Sequence, residues 1–225
     1  MVRRMDAEPL SIAIPGADPV SGLWLAPPEP SACLVLAHGA GAGMTHRHMA
    51  ATAEGLAARG VATLRYQFPY MEKGGKRVDP PPVAHSAVRA AAAEGLRRAA
   101  ATPLFAGGRS FGGRKTSQAQ ALAPLPGVRG LIFFAFPLHP AGKPSTDRAA
   151  HLAAIQVPML FLQGTKDTLA ELVLLQGVVA GLERATLELA PDADHSFHVP
   201  ARAGRKDADV LATLLDAAVA WMTAQ

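Results

Sequence analysis

The chain has 225 residues, of which 49% are hydrophobic and 18% charged, with a net charge of +4. This composition suits a large buried core and excludes an intrinsically disordered chain. The single cysteine, Cys33, excludes an intrachain disulfide and a multi-cysteine zinc site.

In chain order, residues 8–15 and 20–26 each read as a short strand around the turn signal Gly16-Ala17-Asp18-Pro19. They predict an antiparallel N-terminal hairpin. Pro27, Pro28 and Pro30 then interrupt the chain, and the apolar run 32–37 has the pattern of a central parallel strand. His38-Gly39-Ala40-Gly41-Ala42-Gly43 follows, then a helix over about 47–59 ended by Gly60. A strand is predicted over 61–68. Residues 69–82, with Gly74-Gly75 and Pro80-Pro81-Pro82, read as the longest irregular segment. An alanine-rich helix covers 84–100. The strand 104–108 runs into Gly107-Gly108-Arg109-Ser110-Phe111-Gly112-Gly113, and a helix over 115–122 follows. Further strands are predicted at 128–136, 158–162 and 184–189. Residues 137–157 read as proline-bearing loop with one short helix, and helices close the pattern at 169–182 and 208–222.

Strands and helices alternate from residue 32 onward, which predicts an α/β fold. Its central sheet is mostly parallel, with helices on both faces. One domain over 1–225 is expected. Asp6, Glu8 and Pro9 break any apolar leader behind Arg3 and Arg4, and no uncharged run reaches the ~18 residues of a membrane span. A cytoplasmic setting with no membrane contact is the expectation. The basic residues are scattered. Their densest group, Lys73, Lys76 and Arg77, lies in a proline-flanked loop and reads as solvated rather than as a nucleic-acid surface.

The glycine-rich heptapeptide carries the chemistry. Strand, sharp turn and helix is the setting in which Gly-x-Ser-x-Gly forms a nucleophile elbow, and Gly108 and Gly112 would let strand and helix approach closely. Asp167 lies five residues past the strand 158–162, and His195 lies just past the final strand. In such sheets the loops beyond the strands' carboxyl ends converge on one edge. A serine hydroxyl is a weak nucleophile unless a base takes its proton, which a histidine does well. Ser110 is therefore the expected nucleophile, His195 the base, and Asp167 the residue that orients the imidazole. Asp192 and Asp194 are the alternatives for the acid; their closeness to His195 suggests loop ordering instead. The backbone N–H groups of Ala40 and Phe111 are the expected oxyanion hole. His38 reads as structural support for its loop.

Two other readings fail on single residues. A dinucleotide loop from Gly39 and Gly41 needs glycine at position 44, which is Met44. A phosphate-binding loop over Gly108 to Gly113 needs lysine next, where the chain has Arg114. His46, His48, His85, His139, His151 and His198 lack metal-ligand spacing, so neither metal nor cofactor is expected.

These motifs resemble the α/β-hydrolase superfamily over residues 32–222. More narrowly, His38 to Gly43, Gly107 to Arg114, and Phe136-Pro137-Leu138-His139-Pro140 are similar to a small branch near the dienelactone hydrolases. That branch includes bacterial hydrolases, a testis-expressed human protein and a subunit of a chromatin-modifying complex. Dienelactone hydrolases carry a cysteine nucleophile where this chain has Ser110. The interval 137–157 is too short for a cap domain, which predicts an open site for small substrates. Tyr70, with Lys73, Lys76 or Arg77, is expected to reach toward that site, and His139 is a further candidate for the pocket. The leading expectation is a serine hydrolase acting through an acyl-enzyme on a small-molecule ester, thioester or lactone. Peptidases and acyltransferases use the same triad. The alternative is a non-catalytic interaction protein that keeps the fold. The sequence carries no prediction of oligomeric state.

Overall fold

Every residue of β3 (Ala32–Ala37) is buried. Cys33, Val35 and Ala37 enter one apolar layer, and Leu34 and Leu36 enter the other, because successive strand side chains point to opposite faces. A strand that is apolar on both sides needs cover on both, and that requirement puts it inside the sheet. Burial also pushes the Cys33 thiol up to about 12, so it is an inert core group.

The computed structural model describes residues 6–225. The strands are β1 (Glu8–Ile12), β2 (Val20–Leu25), β3, β4 (Val61–Tyr66), β5 (Leu104–Arg109), β6 (Val128–Phe134), β7 (Met159–Gly164) and β8 (Ala185–Ala190). They form one sheet in the order β1-β2-β4-β3-β5-β6-β7-β8. β1 pairs antiparallel with β2 and β2 antiparallel with β4; every other pairing is parallel. The predicted hairpin and the predicted parallel sheet are both present.

Helices α3 (Pro81–Ala99), α4 (Phe111–Leu122) and α5 (Leu172–Ala180) cover one face. Helices α1 (Arg47–Ala57) and α6 (Asp207–Thr223) cover the other. β3 sits between β4 and β5, so the chain leaves it in one direction and returns on its other side. The loops that follow β3 and β5 diverge there and open a crevice at the strands' carboxyl ends. The site occupies this crevice.

Several element ends differ from the sequence reading by a few residues, and three of the differences bear on the site. Residues 69–82 are not wholly irregular: a one-turn helix α2 (Pro69–Glu72) lies inside them. Helix α3 starts at Pro81 rather than at 84, because proline at the first helical positions lacks only an amide that has no partner there. Helix α4 starts at Phe111 rather than at 115, so Gly112 and Gly113 are helical. Glycine disfavours helix by about 1 kcal/mol, and the packing described below overrides that preference. The predicted short helix in 137–157 is a 3-10 turn at Asp147–Ala154. No helix among the described residues is long and apolar enough to cross a membrane.

Phe133 of β6 is wholly buried, with its ring centroid 4.8 Å from that of Phe161 and 5.4 Å from that of Phe136. Phe133→Ala should cost about 3–5 kcal/mol of unfolding free energy, read from the midpoint of a urea titration. An unchanged midpoint would contradict the packing described.

Candidate active site

β5 ends at Arg109, and the next residue turns sharply. Ser110 has φ 48° and ψ −115°, a strained backbone for a residue with a side chain. Its N–H donates to the Phe134 carbonyl at 3.0 Å, and its carbonyl accepts from Arg114 N–H at 3.1 Å. The turn works only because α4 lies against the end of β3. A Cβ on Gly108 would strike the Ala37 carbonyl, and one on Gly112 would lie 2.6 Å from the same oxygen. Both flanking glycines are therefore required by contact, as the elbow reading anticipates.

The structure brings Ser110, His195 and Asp167 together from three loops. Ser110 Oγ lies 2.8 Å from His195 Nε2, and His195 Nδ1 lies 2.7 Å from Asp167 Oδ2. A carboxylate only accepts, so the proton on the ring sits on Nδ1 and Nε2 is left to accept from the serine hydroxyl. Asp167 has no exposed side-chain surface, while His195 keeps 22% of its own. The dyad is sheltered at its acid end and open at its base end.

Each member is braced. Asp167 follows β7 and takes the Leu169 N–H on Oδ1 at 2.8 Å. Its Oδ2 also accepts from Gln163 Nε2, from the end of β7. Gln163 is wholly buried, and its Oε1 has no partner among the described residues. The amide cannot be reversed, because its oxygen would then face a carboxylate. Around His195, Asp194 Oδ1 accepts from Ser196 N–H at 2.7 Å and His198 N–H at 3.0 Å, the loop-ordering role expected of it. Arg109 Nη2 donates to the His195 carbonyl at 2.9 Å, and its guanidinium lies 5.6 Å from the Phe197 ring centroid. Arg109 thus links the residue before the serine to the histidine loop.

The Gly39–Ala40 turn lies beside the serine: a Cβ on Gly39 would be 3.9 Å from Ser110 Cβ. His38, wholly buried, donates from Nδ1 to the Gly39 carbonyl at 2.7 Å and accepts the Phe68 N–H on Nε2 at 3.0 Å. Burial lowers its pKa, which favours this neutral two-way role. The Gly39 carbonyl and the Ala40 N–H share one peptide plane and point in opposite directions. Fixing the one aims the other. Phe111 N–H belongs to the first turn of α4, where amides have no partner within the helix.

The four residues expected at the pocket have the following surroundings. Tyr70 is buried, and its hydroxyl donates to the Ala40 carbonyl at 2.7 Å, so it clamps the turn rather than lining a pocket. Lys73 pairs with Asp18 of the β1–β2 turn at 3.1 Å. Arg77 is exposed and forms no ion pair among the described residues. His139 is buried with both nitrogens engaged: Nδ1 donates to the Pro140 carbonyl at 2.9 Å, and Nε2 accepts from Glu171 N–H at 3.0 Å. It steadies the stretch after Asp167, since His139 N–H also donates to the Leu169 carbonyl at 2.9 Å. Local sequence reading cannot assign these side chains because their partners are distant in the chain. Gln163 was missed altogether; its one signal is an amide closing an apolar strand.

Known structures share this fold. A dienelactone hydrolase from Anabaena variabilis superposes with a TM-score of 0.78 at 19% identity, over 98% of each chain. A serine hydrolase without lid from Xanthomonas campestris gives 0.73 at 22% identity, over 97% of this chain and 96% of that one. Est1E from Butyrivibrio proteoclasticus, with ferulic acid bound, gives 0.73 at 16% identity, over 96% of this chain and 100% of that one. At these identities the likeness concerns the fold. The alpha/beta hydrolase domain family matches from residue 30 to residue 223, a span that takes in the elbow, the Gly39–Ala40 turn and both partner loops; the chain belongs to that family.

Proposed function

We propose that the protein is a serine hydrolase that cleaves small carboxylic esters through an acyl-enzyme. The observation that carries this reading is the continuous chain from Asp167 through His195 to Ser110, with links of 2.7 and 2.8 Å. His195 Nε2 takes the proton of Ser110 as Oγ attacks the ester carbonyl carbon. Asp167 stabilises the imidazolium that forms. The carbonyl oxygen becomes an oxyanion between the N–H groups of Ala40 and Phe111, where one such donor is worth about 3 kcal/mol. Collapse breaks the bond to the alcohol oxygen, which leaves with the proton from His195. Water then attacks the acyl-enzyme, gives a proton to His195, and releases the acid and the serine hydroxyl.

Only a loop with the 3-10 turn Asp147–Ala154 lies between β6 and β7, which supports an open site for small esters. Thioesters and lactones present the same reacting carbonyl and belong to the same reading. The proposal includes a cytoplasmic setting. The Xanthomonas campestris neighbour is described as a serine hydrolase without lid, in keeping with this reaction class.

A fluorophosphonate probe should label the wild type stoichiometrically and leave Ser110→Ala unlabelled. Folded wild type that resists the probe would favour a non-catalytic binding role. A panel of p-nitrophenyl esters of increasing acyl length then ranks substrates.

Tyr70→Phe removes one hydrogen bond to the Ala40 carbonyl and no group at the reacting atoms. It should lower kcat by roughly tenfold with KM little changed, because the loss falls on the transition state. A raised KM at constant kcat would instead place Tyr70 against the ground-state substrate.

A further inference from the structure

One turn of α4 beyond Phe111, Lys115 is almost wholly buried, at 5% exposure. Its ammonium donates to Gln118 Oε1 at 2.9 Å and lies 5.5 Å from the Phe111 ring centroid. No carboxylate pairs with it among the described residues. The groups around it are all basic. Arg114 precedes it, half-buried, with Nε buried and lacking an acceptor among the described residues, and Arg148 adds its charge from the 3-10 turn. His85 of α3 places Nε2 3.4 Å from Gln118 Oε1, and Arg89 of α3 donates to the carbonyls of Ala119 and Ala123. His151 of the 3-10 turn places Nε2 2.8 Å from Ser117 Oγ. Burial, then the charge of Arg114, brings Lys115 down to about 8. Burial, followed by Arg114, Lys115 and His85, brings His151 down to about 4.

The Ser117–His151 contact is not a second nucleophile. Ser117 Oγ donates its only proton to the Arg114 carbonyl at 2.9 Å, so the histidine donates to the serine. Ser117 is wholly buried, and among the described residues no acid stands behind the imidazole. What remains is an ammonium held by one amide oxygen and a ring face. A buried cation compensated so incompletely is costly, and apolar residues would serve stability better.

A cavity of about 340 Å³ lies between α3, α4 and the 3-10 turn, and Gln118 of its wall joins it to Lys115. Its walls combine apolar Pro81, Ala121 and Leu122 with polar His85, Gln118 and His151. That volume is in the range of small-molecule sites. Gln118 lies eight residues beyond Ser110, or about 12 Å along the helix axis, so the cavity is separate from the serine.

We propose that this cavity binds a small carboxylate with an apolar body, its anionic end set against Gln118 and His85 with the Lys115 ammonium directly behind Gln118, and its body against Pro81, Ala121 and Leu122. The carboxylate supplies the negative charge that the fold withholds. The site stands whether or not Ser110 is catalytic.

Benzoate is the probe, followed by calorimetry on the full chain at pH 8 in two buffers of different ionisation heat. Burial brings Lys115 down to about 8, and a bound carboxylate favours its charged form, so binding there should take up protons. Lys115→Met keeps the stem, removes the charge, and should weaken binding at least about tenfold and abolish the uptake. Gln118→Glu places a carboxylate beside the ammonium; it should also weaken binding, while raising the melting temperature. Three results would overturn the proposal: no benzoate binding to folded wild type, unchanged affinity in folded Lys115→Met, or inorganic phosphate binding as tightly as benzoate.

Discussion

The approach of α4 to the end of β3 is the contact on which the site depends. Gly108 and Gly112 bring the helix start against the carbonyl of Ala37, closer than any side chain would allow. That single approach sets three positions at once. It turns Ser110 out at φ 48°, places the first-turn amide of Phe111 beside it, and brings the Gly39–Ala40 turn over the same point. Thr116 reinforces the approach by donating to the Gly112 carbonyl at 2.9 Å within the helix, on the side that faces the sheet. A backbone strain of about 1–3 kcal/mol at Ser110 is tolerable because the surroundings leave it no alternative.

Around that contact, buried polar side chains hold the loops by their carbonyls and amides. His38 and Tyr70 act on consecutive peptide groups of one turn, through the carbonyls of Gly39 and Ala40. Arg65, buried in β4, donates to the Met44 carbonyl at 3.1 Å, and Gln67 accepts the Met44 N–H at 2.9 Å. The glycine-rich loop is thus fixed at both ends although its own residues have almost no side chains. Gln163 and His139 do the same for the Asp167 loop. Each of these bonds is made at one loop geometry only, although Gln163 Oε1 and Arg65 Nε are buried without a partner among the described residues.

The sheet was legible in the sequence because β3, β6 and β7 are apolar runs of strand length, and period and length are local properties. The positions of Ser110, Asp167 and His195 were legible for a related reason: each follows a strand, and a parallel sheet brings such positions to one edge. The start of α4 was not, because Gly112 and Gly113 read as loop until the carbonyl they approach is known. Nor were the tasks of Tyr70, Lys73 and His139. Tyr70 finds its partner thirty residues away in the chain, Lys73 pairs across to the hairpin turn, and His139 reaches Glu171. Polarity alone told only that these side chains needed partners.

The strand order has a consequence for how the chain is made. β1, β2, β3 and β4 are complete by residue 66, and β5, β6, β7 and β8 then add in sequence order to a single growing edge. Each new strand meets its neighbour already in place, so a chain emerging from the ribosome can lay down this sheet without waiting for a distant partner. Ser110 takes its turn early in that sequence, while Asp167 follows β7 and His195 follows β8. Until the last strand docks, the nascent protein carries the Ser110 hydroxyl without the His195 imidazole beside it.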